Sequence, residues 1–314
     1  IIKYYILILI MNIILIHIGN SKVDYLLNTV RHLVHFKNKK LFLLANKKMI
    51  KRFKDKKISK KINLIDIQKF SLSKQHQNFL NNTRLSKEAD NGLWLKSVER
   101  FFYLQNFCEK NKLKDIIHIE NDVLIFDRLS KFKKVFNKYY DIGMTFLNQD
   151  LCVPGFIYFK NFKNTNFICD YIFSKNRFFF QKKNKNDMRL LKDMFQKYKN
   201  SDHKIRLLPT MSDIMAKEQR LFDKKNEAFY KYQNSFNILF DACAIGQKIG
   251  GLDKKYHKHK GSYINQLSIF DANNIEIIIK KYQNFKKPFI KINNKMIPLL
   301  NVHMHSKKTN FFFN

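Results

Sequence analysis

The sequence predicts an α/β fold, a mixed sheet of short strands flanked by helices in a single compact domain. Three observations carry this expectation. Short apolar runs ("NIILIHI", "KLFLLAN", "INLIDI") alternate with segments whose apolar residues recur at helical spacing, and continuous apolar strands belong to parallel sheets covered on both faces. The 314 residues are 45% hydrophobic, enough to fill a sizeable core. Only 8 Gly and 4 Pro occur, and no period of about 20 to 50 residues repeats, which argues against disorder, collagen-like chains and solenoids.

The elements follow in order. The first segment, "IIKYYILILIMNIILIHIGNS", puts Lys3 before a long apolar run, as a signal peptide or membrane anchor would. Asn12 breaks that run and His17 closes it, short of the roughly 20 apolar residues of a spanning helix. A buried strand from Asn12 to Ile18 is therefore expected, with Met11 as the start of the domain and residues 1–10 as an upstream extension. A Gly turn, "GNS", leads into "VDYLLNTVRHLVHF", where Val23, Leu26, Leu27, Val30, Leu33 and Val34 mark one helix face. "KLFLLAN" and "INLIDI" supply two more strands, which makes the first hundred residues a Rossmann-like βαβ array. A long helix is expected from Gly92 to Lys110, with Trp94, Val98, Phe101, Phe102 and Gln105 along one side. It feeds the strand in "DIIHIENDVLIF".

Beyond that strand come a helix in "FDRLSKFKKVFN", a strand in "DIGMTF" and a strand in "VPGFIYFK" opened by a Pro-Gly turn. A helix in "NDMRLLKDMFQKYK" has Asn186 as its N-cap. Residues 200–238 read as polar and irregular. Near the end, "INNK" between two alternating runs predicts a hairpin. No linker rich in Gly, Ser or Pro separates these parts.

Composition limits the partners. Sixty Lys+Arg against 25 Asp+Glu give a net charge of +35, enough to draw the chain to nucleic acid, anionic lipid or phosphorylated ligands. Lys, Asn, Ile and Phe are also what A/T-rich codons supply, and the basic runs lack an RNP-type aromatic motif or a zinc finger. Nucleic acid is thus not the expected partner, and peripheral contact with an anionic membrane is the alternative use of the charge. Cys108, Cys152, Cys169 and Cys243 lie far apart without a C-x-x-C pair, which fits a reducing cytoplasm.

Chemistry concentrates at the end of "IIHI". Glu120 and Asp122 stand two residues apart where the apolar run stops, so both can lie on one side of an extended chain. Open α/β sheets bind ligands beyond the carboxyl ends of their strands, and hard oxygen ligands there suit Mg²⁺ or Mn²⁺ with a diphosphate. The alternative is a pair of acids capping the helix near Asp127. In "NVHMHSK", His303, His305 and Lys307 alternate, so an extended segment would put them on one face. An exposed polar tail is the plain alternative. His257 and His259, in the lysine-rich "GGLDKKYHKHKGS", read as part of a solvated flap.

These landmarks ("IHIGN", "ERF", "HIENDVLIF", "PGFIYF", "NDM", "FDACAIGQKIGG", "GSYIN", "HMHSK", over about residues 12 to 310) together resemble a GT-A-fold glycosyltransferase, a nucleotide-sugar-dependent enzyme. The resemblance implies a nucleotide-binding half over residues 11–126 and an acceptor half over residues 127–314, the latter ending in a metal and phosphate segment. It implies Asp122 as a direct ligand of Mn²⁺ or Mg²⁺, with His303 or His305 completing the site. Glu120 and Asn121 would meet the donor ribose or the metal through water, and Lys307 and Arg100 the diphosphate. His17, Gly19 and Asn20 would lie near the nucleoside. Asp187 would hold the acceptor hydroxyl or act as base, and Asp241, with Gln247, would contact the donor sugar. The chain departs from the commonest pattern in having Glu120 where an aspartate is usual, which weakens direct coordination by that residue.

The implied partners are a nucleotide-sugar donor and a glycan or lipid-linked saccharide acceptor. Two rivals are a nucleotidyltransferase, for which "HIGNSK" is too short a first loop, and a basic nucleic-acid-binding protein without catalysis.

Overall fold

The computed structural model describes residues 10–19, 24–54, 57–87, 89–179, 186–252, 267–282 and 284–313. Eight strands occupy its first two thirds: β1 (Asn12–His17), β2 (Leu41–Ala45), β3 (Asn63–Asp66), β4 (Lys114–Ile119), β5 (Val123–Ile125), β6 (Ile142–Asn148), β7 (Leu151–Asn161) and β8 (Ile205–Leu207). Seven of them form one mixed sheet in the order β3-β2-β1-β4-β7-β6-β8. Strands β1 to β4 run parallel, and β7 alone opposes its neighbours. The α/β architecture expected from the alternating runs is present.

Apolar runs without polar alternation were the signal for two covered faces, and the packing obeys it. Along β1, Ile14 and Ile16 join one core while Ile13 and Leu15 join the other. On β7, Ile157 and Phe159 face the first core, Phe156 and Tyr158 the second. Helix α1 (Asp24–His35) covers the second face with Leu26, Val30 and Leu33. After α2 (Lys47–Lys54) and α3 (Lys74–Asn82), the long α4 (Leu93–Lys110) covers the first face with Val98, Phe101, Phe102 and Leu104.

Downstream, the predicted helix after "END" is split into a short 3-10 turn, Leu129–Phe132, and α5 (Lys133–Tyr139). The Pro-Gly pair is no turn: β7 runs straight through Pro154 and Gly155. Shifts in the β6–β7 register lie beside that stretch, so the irregularity that Pro and Gly demand is absorbed by the ladder. Helix α6 (Phe162–Phe179) was not foreseen, because its apolar residues are interrupted by Asn and Lys. Helix α7 (Asp187–Tyr198) starts where expected, with the Asn186 side chain accepting from the Arg189 amide at 3.1 Å.

Residues 200–238 are less irregular than their polarity suggested. They hold β8, α8 (Asp213–Glu218) and α9 (Gln233–Phe236), and bury Leu208, Met211, Met215, Phe229 and Phe236. Helix α10 (Ala244–Gly250) follows, then an antiparallel meander of β9 (Glu276–Lys281), β10 (Lys286–Ile292) and β11 (Lys295–Pro298). The last strand, β12 (Asn301–His303), leaves the meander and pairs antiparallel with β5, His303 opposite Val123. No helix among the described residues is long and apolar enough to cross a membrane. The reading of residues 1–10 as an extension concerns residues that, Ile10 apart, lie outside the described ones.

The predicted hairpin turn is present, with Asn293 and Asn294 at φ 46° and 61°. Two consecutive left-handed residues make the turn that matches strand twist, and asparagine tolerates that conformation where a β-branched residue does not. Replacing Asn294 by Val is expected to lower stability by about 1–3 kcal/mol in urea denaturation, whereas Asn294→Gly should leave it unchanged or slightly raised.

Candidate active site

Strand β4 lies between β1 and β7, so its carboxyl end opens at the middle of the sheet. There "END" makes a tight turn into β5: the Val123 amide donates to the Glu120 carbonyl at 3.2 Å, and the Glu120 amide to the Gly155 carbonyl at 3.0 Å. Asn121 ties the turn to β1, its side-chain amide donating to the Ile16 carbonyl at 3.2 Å. The same amide group lies 3.3 Å from Nδ1 of His17. On the other side, the Thr29 hydroxyl of α1 donates to the Asn121 carbonyl at 2.7 Å. The turn is thereby held with both acids projecting from one place.

The C-terminal segment supplies the cations. Pairing of β12 with β5 sets the His303 imidazole over both acids, Nε2 being 3.3 Å from Oδ1 of Asp122 and 3.4 Å from Oε2 of Glu120. The Met304 amide donates to the Asp122 carbonyl at 2.9 Å. The chain then turns, Lys307 taking a left-handed φ of 62°. Its ammonium meets Oδ2 of Asp122 and lies 5.4 Å from the centre of the Tyr25 ring. From α4, Arg100 bridges Glu120 and Asp187, with its second nitrogen 2.8 Å from Oδ2 of Asp187. Glu99 does not pair with Arg100 but with His76, at 3.2 Å.

Burial and charge oppose each other here. Burial disfavours ionised Asp122, yet Lys307 and His303 outweigh it and hold the carboxyl far below the ordinary range. Glu120 is likewise lowered, Arg100 and His303 overcoming burial. His303 is raised because Asp122 and Glu120 outweigh its desolvation. Asp187 goes the other way: its burial exceeds the attraction of Arg100 and lifts it above the usual carboxylate value. Both nearby acids are ionised and the more distant one is the better proton acceptor, a division common at catalytic sites.

Glu120, Asp122 and His303 offer ligand atoms that all lie within 4.8 Å of one another. Two carboxylates and an imidazole form a donor set that fits Mn²⁺, and Mg²⁺ less fully. His305 lies in the following turn and outside that group. The expected shared face of His303, His305 and Lys307 does not form, because β12 ends at His303. Lys307 arrives through the turn instead.

Asp241 holds the histidine rather than facing open space. One of its carboxylate oxygens accepts from the His303 amide at 2.9 Å and the Gly246 amide at 2.9 Å, the other from the Ile245 amide at 3.0 Å. It thus caps α10 and fixes the backbone of His303 in one act. Asn301 reinforces this, accepting from the Asp241 amide at 3.2 Å and donating to its carbonyl at 3.0 Å. Gln247 is buried on the same helix. His17 is buried at the end of β1, and Gly19, at φ 122°, accepts from the Asn46 side chain at 2.5 Å. Asn20, His257, His259 and the "GSYIN" landmark lie outside the described residues.

Among solved structures, the chain is similar to PaToxG glycosyltransferase, at 14% identity over 61% of this chain and 70% of that one, with a TM-score of 0.41. It is similar to mouse xyloside xylosyltransferase 1 in its apo form, at 8% identity over 70% and 93%, TM-score 0.42. It is also similar to the galactosyltransferase LgtC in complex with donor and acceptor sugar analogs, at 10% identity over 64% and 74%, TM-score 0.41. All three are glycosyltransferases. No protein-family profile and no curated protein matches the sequence. At such low identity and TM-score the functional case stands on this chain's own residues.

Sequence reasoning missed Gly155, Asn301, Thr29 and Tyr25. Gly155 had a legible signal: a glycine inside an apolar strand run marks close approach by another group. A Cβ there would lie 2.8 Å from Nδ1 of His303, a nitrogen that has no hydrogen-bond partner. The ring is therefore positioned by packing on Gly155 and by the backbone grip of Asp241. Gly155→Ala is expected to displace the imidazole and weaken Mn²⁺ binding by about 10- to 100-fold, the range for losing support of a metal ligand. Calorimetric titration with MnCl₂ measures this, and an unchanged affinity would exclude His303 from the metal site.

Proposed function

We propose that the protein is a metal-dependent glycosyltransferase that moves a sugar from a nucleotide-sugar donor to a hydroxyl of a glycan or lipid-linked acceptor. The observation that carries this reading is the convergence of Glu120 and Asp122, at the end of a central strand, with His303 and Lys307 from the C-terminal segment. A bound divalent ion, Mn²⁺ or Mg²⁺, would offset the charge that builds on the departing nucleoside diphosphate.

The chain's own residues divide the remaining work. Asp122 and His303 are assigned to the ion, with Glu120 beside them and directed also to the donor ribose. Lys307 is a compact cation on a flexible stem and suits a phosphate oxygen, and the planar guanidinium of Arg100 suits a second. His17, Gly19 and Asn121 line the end of β1 and are assigned to the nucleoside side, together with Asn20. Asp187, lifted above the usual carboxylate range by burial, is assigned to the acceptor hydroxyl as its base. Asp241 is assigned a positioning role through the His303 backbone, with Gln247 toward the donor sugar.

Asp122→Ala should lower transfer from the true donor by at least about a hundredfold, the scale of one preorganised electrostatic contact, while the circular dichroism spectrum is unchanged. Retention of full activity with an identified donor would end this assignment. Lys307 gives a two-signed check. Because its ammonium already neutralises Asp122, Lys307→Met should tighten Mn²⁺ binding to the free protein and weaken binding of nucleoside diphosphates. Both are read by calorimetry, and a change of the same sign in both would remove Lys307 from the diphosphate.

A further inference from the structure

Strand register divides the β9–β10–β11 meander into two faces. Lys287 stands opposite Lys280, Phe289 opposite Ile278, and Ile290 opposite Ile277. Ile277, Ile279, Ile290, Ile292 and Ile297 turn inward and pack in or against the core. By the alternation of strand side chains, Ile278, Lys280, Phe289 and Met296 turn outward, with Tyr282 beyond the end of β9. None of these outward apolar residues belongs to either core. Tyr282 is 44% exposed and stacks on Phe285 with centroids 5.1 Å apart and planes at 8°. Phe311, 41% exposed, adds a further ring beneath the Lys286 ammonium, 5.0 Å from its centroid. Aromatic and aliphatic side chains thus share an outer surface.

The charge on this surface is one-sided. Residues 276–298 contain six lysines and a single acid, Glu276. Lys291 pairs with Glu276 at 3.1 Å and Lys287 with Asp127 at 3.7 Å. Lys280, Lys281, Lys286 and Lys295 have no acidic partner among the described residues. The ammonium groups of Lys280 and Lys287 lie 5.3 and 5.8 Å from the centre of the Phe289 ring. Lysines rimming exposed apolar groups can bury their stems while their charges reach anionic headgroups.

We propose that this outer face docks the protein on an anionic lipid bilayer. Single-stranded nucleic acid is a poorer fit: it needs bare aromatic platforms for stacking, whereas the Phe289 and Phe311 rings carry ammonium groups, and Ile278 and Met296 offer nothing to a base. An acyl boundary accepts all of them. The surface is also continuous with the active site, since one C-terminal run brings Lys307 to Asp122 and, four residues later, Phe311 to Lys286. Docking would hold the site beside the membrane, where a lipid-linked acceptor is presented; that last clause rests on the proposed sugar transfer, and docking itself does not.

The test is flotation of the full chain with vesicles of phosphatidylcholine alone or mixed with phosphatidylglycerol, across a salt series. Binding is expected to the mixed vesicles and to weaken with salt. Lys280→Glu with Lys281→Glu should weaken it about tenfold or more, and Tyr282→Ser with Phe311→Ser should weaken the part that survives salt. Lys224→Glu with Lys225→Glu removes the same charge at exposed sites elsewhere and should have a far smaller effect. Equal loss from the two charge pairs, or no loss from the meander variants, would overturn the proposal. So would loss of RNA oligonucleotide binding in the meander variants with vesicle binding intact. Transfer to a soluble acceptor, measured in the same variants, is expected to be unchanged, which separates failure of docking from failure of the sugar-transfer reading.

Discussion

Two buried carboxylates, two residues apart at the end of a strand, repel each other and lose their water, so they persist as a charged pair only where cations are brought against them. The chain brings three: Arg100 from α4, and His303 and Lys307 from its last strand and turn. Much of the later topology serves that delivery. The pairing of β12 with β5 sets the height of His303, Asp241 grips its backbone, and Gly155 leaves room for its ring.

This arrangement also suits exchange of partners. In the free protein, Asp122 is neutralised by Lys307 and His303. A divalent ion at the same carboxylate would take over that neutralisation and leave the lysine available to a phosphate, so that the total charge at the site stays near balance when ion and diphosphate are both bound. Arg100 occupies the corresponding position between Glu120 and Asp187. The basic side chains at the centre thus have a local purpose apart from the general excess of lysine.

Local signals made part of this legible. Apolar runs without alternation identified the covered sheet, and Asn186 and "INNK" marked a cap and a turn through their own chemistry. The carboxyl end of "IIHI" identified Glu120 and Asp122. Contacts between distant segments were not legible in the same way. Nothing within "NVHMHSK" says that its strand stops at His303, because that limit is set by three residues of β5 lying opposite. Asp241 looked like a group for sugar contact, yet three backbone amides claim its oxygens, a fact that depends on how α10 meets β12. Gly155 was misread because Pro-Gly is usually a turn signal, and here the demand for space came from a ring nearly 150 residues away.

The ion pair of Asp122 and Lys307 joins positions 185 residues apart. Contacts so distant in sequence form late, since closing such a loop has to precede any gain from the contact. During synthesis the acids leave the ribosome long before the cations that neutralise them, and the β1–β4 half must wait with its charged turn exposed to water. Chemical competence then appears only when the final segment has been made and has found β5. A prematurely terminated chain would hold the acidic turn without its cover, so it could not act on a nucleotide donor before synthesis had passed the last strand.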